Sequence, residues 1–124
     1  MNLYTFEVYR GGCDKERPVA IIAENQNEAL SVLQSRRYTV GTCTVFTLRK
    51  ARITHYLHNN PPIQRGSQEI LEVQAVIGNG YLAYVRPDGN HYIQACKVNK
   101  YDATKENKFY CMIFGDNHTV EFLE

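Results

Sequence analysis

The chain has 124 residues, 14 Lys+Arg against 13 Asp+Glu, 44% hydrophobic and 22% charged residues, four cysteines and no tryptophan. That length suits one domain or two small subdomains, and the apolar share excludes wholesale disorder. The net charge of +1 excludes strong whole-surface attraction to nucleic acid or acidic lipid.

Asn2 to Tyr9 alternates Tyr4, Phe6 and Val8 with Thr5, Glu7 and Tyr9, the period-two pattern of a strand. No basic start or apolar stretch marks Met1 to Arg10 as a signal peptide. Gly11-Gly12 and the charged run Asp14 to Arg17 make a turn, and Val19 to Ala23 is a short apolar strand. Asn25 then caps a helix, with Glu28 three positions on completing a capping-box-like pair. Ala29, Leu30 and Leu33 share one face of that helix, which runs to about Arg36, and Thr39 to Leu48 is the third strand. Ala51 to His58 reads as a short helix with Ile53, Tyr56 and Leu57 inward, ended by Asn59-Asn60-Pro61-Pro62.

The remaining residues read as a meander. Asn79-Gly80 and Asp88-Gly89 are the dipeptides most favoured in two-residue type I′ hairpin loops. As such loops they pair Gly78 with Tyr81 and Pro87 with Asn90, and strand alternation then sets every other pair. Leu71, Val73, Ala75, Ile77, Leu82, Tyr84, Ile93 and Ala95 fall on a core face. The opposite, mixed face carries Glu72, Gln74, Val76, Tyr81, Ala83, Val85, Tyr92, Gln94 and Cys96. A last hairpin, Phe109 to Phe114 and His118 to Leu123, turns at Gly115-Asp116-Asn117, which places Tyr110, Met112, Phe114, Val120 and Phe122 on one face. The expected fold is α+β and β-rich. An N-terminal β-β-α-β unit (1–58) is joined by a connecting loop (59–68) to an antiparallel β-meander (69–124) that shares its core. The meander with its Asp-Gly hairpin has a generic resemblance to small SH3-like barrels, which rests on turn chemistry and implies no function.

No catalytic constellation is visible. Gly78-Asn79-Gly80-Tyr81-Leu82-Ala83 matches the dinucleotide-binding string, but a strand follows it where that motif needs a helix N-terminus. His55-x-x-His58 lacks the third ligand of a metal site, and Cys13, Cys43, Cys96 and Cys111 include no C-x-x-C pair. His91 and His118 each begin a strand beside a turn, with no partner for acid–base work. Asp88 and Asp116 sit at hairpin tips, where turn geometry alone favours aspartate. The expectation is therefore no enzyme, no cofactor and no metal.

Charge is uneven along the chain: residues 1–60 carry eight basic and five acidic side chains, residues 61–124 six and eight. Nine tyrosines supply stiff, amphipathic contact area. The leading expectation is a cytoplasmic, non-enzymatic binding protein, a stoichiometric adaptor or inhibitor of the compact kind that phages and mobile elements encode. It would contact another protein through the face bearing Tyr81 and Tyr92, with Gln74, Gln94, Arg86 and His91 around them. One alternative is single-stranded nucleic-acid binding on the sheet aromatics, disfavoured by the near-neutral charge. The other is sequestration of a nucleotide or small molecule at a dimer interface. A homo-oligomer is compatible with the charge division, and no membrane partner is expected.

Overall fold

The computed structural model describes residues 1–11, 14–56, 68–100, 107–113 and 116–123. It is α+β and β-rich, and by contacts it comprises two compact units, Met1–Leu48 and Arg49–Glu124. Among the described residues no helix is long and apolar enough to cross a membrane.

The first unit is built around β1 (Asn2–Arg10). The two-residue β2 (Asp14–Lys15) and β3 (Val19–Ala23) pair antiparallel with successive stretches of one edge of β1. Along the other edge runs β4 (Thr39–Thr47). Helix α1 (Gln26–Ser35) starts as its sequence dictates: the Asn25 side chain accepts a bond from the Glu28 N–H at 2.9 Å, satisfying one of the unpaired amides of the first turn. It ends at Ser35 with Arg37 in the left-handed region. Ala29 and Leu33 pack with Tyr4, Phe6, Val8 and Ala23 in a buried cluster, and Leu30 joins it half-buried. The apolar i, i+4 spacing on the helix thus meets the period-two face of β1.

The second unit holds β5 (Arg49–Tyr56), β6 (Gln68–Gly78), β7 (Tyr81–Val85), β8 (His91–Ala95), β9 (Lys97–Lys100), β10 (Lys108–Ile113) and β11 (Asp116–Phe122). Their order in the sheet is β8-β7-β6-β5-β11-β10-β9, with every pair antiparallel. Only Cys96 separates β8 from β9. One stretch of chain therefore pairs with β7 at one sheet edge and with β10 at the other, and the sheet comes close to a barrel. Ala51, Ile53, Val73, Ala75, Leu82, Tyr84, Cys111, Val120 and Phe122 fill its core.

Asp14 and Lys15, expected within a turn, form strand β2 opposite Arg10 and Tyr9, and three further local expectations are corrected. The helix over Ala51 to His58 is strand β5, because Lys50 and Arg52 are exposed while Ala51, Ile53 and His55 are buried, a period of two. The polar His55 hid the third inward position. Leu57, His58 and the connecting loop up to Ser67 lie outside the described residues, as do the side chain of Tyr56 and Cys13.

The Asn79-Gly80 loop forms as expected, with Asn79 at φ 53°, Gly80 at φ 79°, and Gly78 opposite Tyr81. The next loop does not. Pro87 has no N–H and cannot close a hydrogen-bonded pair with Asn90. Instead the Arg86 N–H donates to the Asn90 carbonyl at 2.8 Å, the Gly89 N–H donates to the Arg86 carbonyl at 2.9 Å, and Gly89 takes φ 88°. The loop is thereby one residue longer, the three-residue form with a left-handed glycine. Every residue of β8 moves to the other face. Tyr92 lies opposite Tyr84 and packs against the core, while Ile93 and Ala95 fall on the face of Ala83 and Tyr81.

The same parity change affects the last hairpin. Ile113 lies opposite Asp116 and Phe109 opposite Val120, so Tyr110 pairs with Thr119 and leaves the face of Val120 and Phe122. Phe114, Gly115 and the Met112 side chain lie outside the described residues.

Candidate functional site

The six residues expected to form one contact surface are dispersed. Tyr81 and Tyr92 occupy opposite faces of the sheet, as the β7–β8 register requires. Gln74 is exposed opposite Lys50, Gln94 is exposed opposite Leu82, and His91 is exposed opposite Val85. Arg86 and Tyr92 instead belong to a polar cluster at one end of the barrel, built from the last turns of β5 and β7 and the first residues of β6, β8 and β11.

In that cluster His55 and His118 are direct cross-strand partners, with ring centroids 4.2 Å apart and planes 15° from parallel. The Tyr84 hydroxyl lies 3.4 Å from His118 Nε2, and the Tyr84 ring stacks on Tyr92 at 4.6 Å. Glu69 accepts a 2.6 Å bond from Arg86 Nη2 and lies 3.9 Å from His55 Nδ1. Arg86 Nη1 reaches the Tyr84 hydroxyl at 3.5 Å, which joins the two halves of the cluster. The Arg86 guanidinium is held above its usual range, first by the bond to Glu69. His118 and Tyr84 are fully buried, and the two imidazoles spend their faces on each other. The arrangement therefore ties five strand ends together, with His118 and Tyr84 inside and Glu69, Arg86 and Tyr92 partly exposed. Among the described residues no group of three or more His, Cys, Asp or Glu is placed to hold a metal ion.

Beyond the cluster, Cys111 is buried in the core and Cys96 packs beside it half-buried. The Cys111 thiol donates to Cys96, which lowers the Cys96 thiol below its ordinary value and raises that of Cys111.

At the opposite end of the same strands is a cavity of about 440 Å³ lined by Arg49, Val76, Ile77, Asn107, Phe109 and Phe122. Register places these together: Arg49 begins β5, Ile77 is one residue before the end of β6, Phe109 is the second residue of β10 and Phe122 ends β11. The two phenylalanine rings meet edge to face at 6.0 Å, making an aromatic corner. The Arg49 guanidinium sits 4.6 Å from the Phe122 ring centroid, a cation–π contact that orients it over the cavity. Asn107 is fixed by reciprocal bonds with Phe122: its Nδ2 donates to the Phe122 carbonyl and the Phe122 N–H donates back to its carbonyl, each at 2.9 Å. Phe122 and Val76 are buried whereas Arg49 and Asn107 are exposed, so the apolar wall is inside and the polar groups are at the opening. Such a lining suits a ligand with an apolar body and an anionic head.

None of the cavity residues was among the six. In sequence Arg49 belongs to the basic cluster Arg49-Lys50-x-Arg52, which the nucleic-acid alternative would use to hold phosphates, and Phe109 and Phe122 stood out only as strand aromatics. His55 and His118 were noted separately, and no local signal links residues so distant in sequence until β5 is recognised as a strand beside β11. Comparison with protein-family models, curated proteins and solved structures finds no match for this chain.

Proposed function

We propose that this chain is a small non-enzymatic binding protein that sequesters an amphipathic anion in the cavity between Arg49, Phe109 and Phe122. The cavity carries this reading. Its volume of about 440 Å³ lies within the roughly 300–1,000 Å³ range of small-molecule sites, and one guanidinium stands with Asn107 at the mouth of an apolar wall. Stoichiometric contact with a protein through a single tyrosine face has less support, since Tyr81 and Tyr92 point to opposite sides.

Calorimetric titration with decanoate tests the proposal. Saturable one-to-one binding is expected, and Arg49→Leu should weaken decanoate by about tenfold or more while binding of decanol, which has no charge to pair, changes little. Absence of saturable binding by decanoate, benzoate and a nucleoside monophosphate alike would sink it. So would equal weakening of decanoate and decanol in the variant, because the guanidinium would then not be reading charge.

A further inference from the structure

The open edge of β4 is the second feature of the molecule that calls for a partner, and it is independent of the cavity. Among the described residues β4 pairs with β1 alone. The Leu48 N–H donates to the Met1 carbonyl at 3.2 Å, so Met1 and Leu48 form a hydrogen-bonded pair of the antiparallel ladder. Such pairs alternate with non-bonded ones. With Leu3 opposite Phe46 and Thr5 opposite Thr44, those pairs are bonded, and the N–H and C=O groups of Cys43, Val45 and Thr47 point away from β1.

Edges of this kind are ordinarily blunted by charge, proline or irregularity. The nine residues Thr39–Thr47 contain neither a charged residue nor a proline. The one irregularity, between the Cys43 and Val40 pairings, lies before the stretch 43–47 and leaves that stretch regular. Val45 is 48% exposed, one of the few large apolar side chains so open. Other strands are also paired on one side only, but β3 and β8 have five residues each and β9 carries Lys97 and Lys100.

We propose that β4 pairs antiparallel with β4 of a second copy about a twofold axis at Val45. That axis sets Val45 opposite itself, Thr44 opposite Phe46 and Cys43 opposite Thr47, so each outward backbone group of 43, 45 and 47 meets a counterpart. The side-chain pairs are β-branched with β-branched and Thr with aromatic, which favour cross-strand contact. A twofold axis places identical side chains together only at its centre, and a charged residue there would repel its own copy. Here the centre is a valine. A strand without charge also has nothing to select a complementary foreign strand, so a second copy is the occupant its chemistry fits.

Light scattering on the full chain should give twice the 14.3 kDa chain mass at tens of micromolar protein, and Val45→Lys should reduce it to one chain mass with an unchanged circular-dichroism spectrum. In a Cys43→Ser background, Val45→Cys should form an intermolecular disulfide under mild oxidation, since residues in such a pair have Cα atoms about 5.5 Å apart, within disulfide reach. Thr44→Cys in the same background should not. A monomer at every concentration overturns the proposal, as does a dimer that survives Val45→Lys. Ready crosslinking of the native Cys43 to itself, with none at Val45→Cys, overturns the placement of the axis. Decanoate binding reads the cavity separately, so either result stands without the other.

Discussion

Tyr84 joins two kinds of interaction that a pair of substitutions separates. Its ring is fully buried and stacks on Tyr92 at 4.6 Å, whereas its hydroxyl makes long contacts of 3.4 Å to His118 and 3.5 Å to Arg86. Bonds at that length lie beyond the usual donor–acceptor range. Tyr84→Phe should therefore cost about 1 kcal/mol or less, and Tyr84→Ala about 3–5 kcal/mol from lost packing and the cavity left behind. Urea unfolding followed by circular dichroism checks the difference. A large loss in Tyr84→Phe would mean that the polar cluster, not the ring, holds this end of the barrel.

The thiol pair makes a prediction of the same scale. Cys96 is lowered first by the bond donated from Cys111, and Cys111 is raised first by that same bond and then by burial. Iodoacetamide near neutral pH should thus modify Cys96 ahead of Cys111. Removing the donor with Cys111→Ala should move the Cys96 alkylation midpoint upward, toward an ordinary thiol, as read by mass spectrometry across a pH series. The signs for stability are opposite. Cys96, depressed in the fold, contributes above its unfolded value and loses that contribution as pH falls. Cys111, raised in the fold, contributes below its unfolded value and loses it as pH rises through the folded one.

At the scale of elements, those whose signals are local were the ones readable in advance. Helix α1 has its cap and its apolar stripe within a dozen residues, and both are used. Asn25→Ala should cost about 1 kcal/mol in thermal or urea unfolding; no change would mean that packing of Ala29 and Leu33 alone holds the helix start. The Asn79-Gly80 hairpin is equally local, because its two positive φ angles suit those residues. Strand β5 was not readable this way. Ala and His occupy inward positions, Ala51 being a good helix former and His55 a polar residue, and only β6 and β11 on either side make the strand pairing worthwhile. The Pro87 loop shows how a single missing N–H outweighs a favoured dipeptide. Gly41 is another constraint set by a neighbour: a Cβ there would come within 3.0 Å of the Tyr9 ring, at the irregularity in β4.

For the whole molecule, composition and periodicity established a β-rich α+β chain with one capped helix, the three longer strands of the first unit and the Asn79-Gly80 turn of the second. These depend on interactions between residues close in sequence, where side-chain identity and backbone preference act directly. Tertiary structure alone decided which face Tyr110 occupies, that Arg49 to Tyr56 is a strand, and that the stretch from His91 to Lys100 bridges both sheet edges. It alone brought His55 to His118 and Arg49 to Phe109 and Phe122. The reason is parity. Side chains alternate along a strand, so one residue more or less in a loop reverses every side chain beyond it, while the composition of the strand stays the same. The choice between the two registers falls to which side chains fill the barrel, a property of strands far apart in the chain.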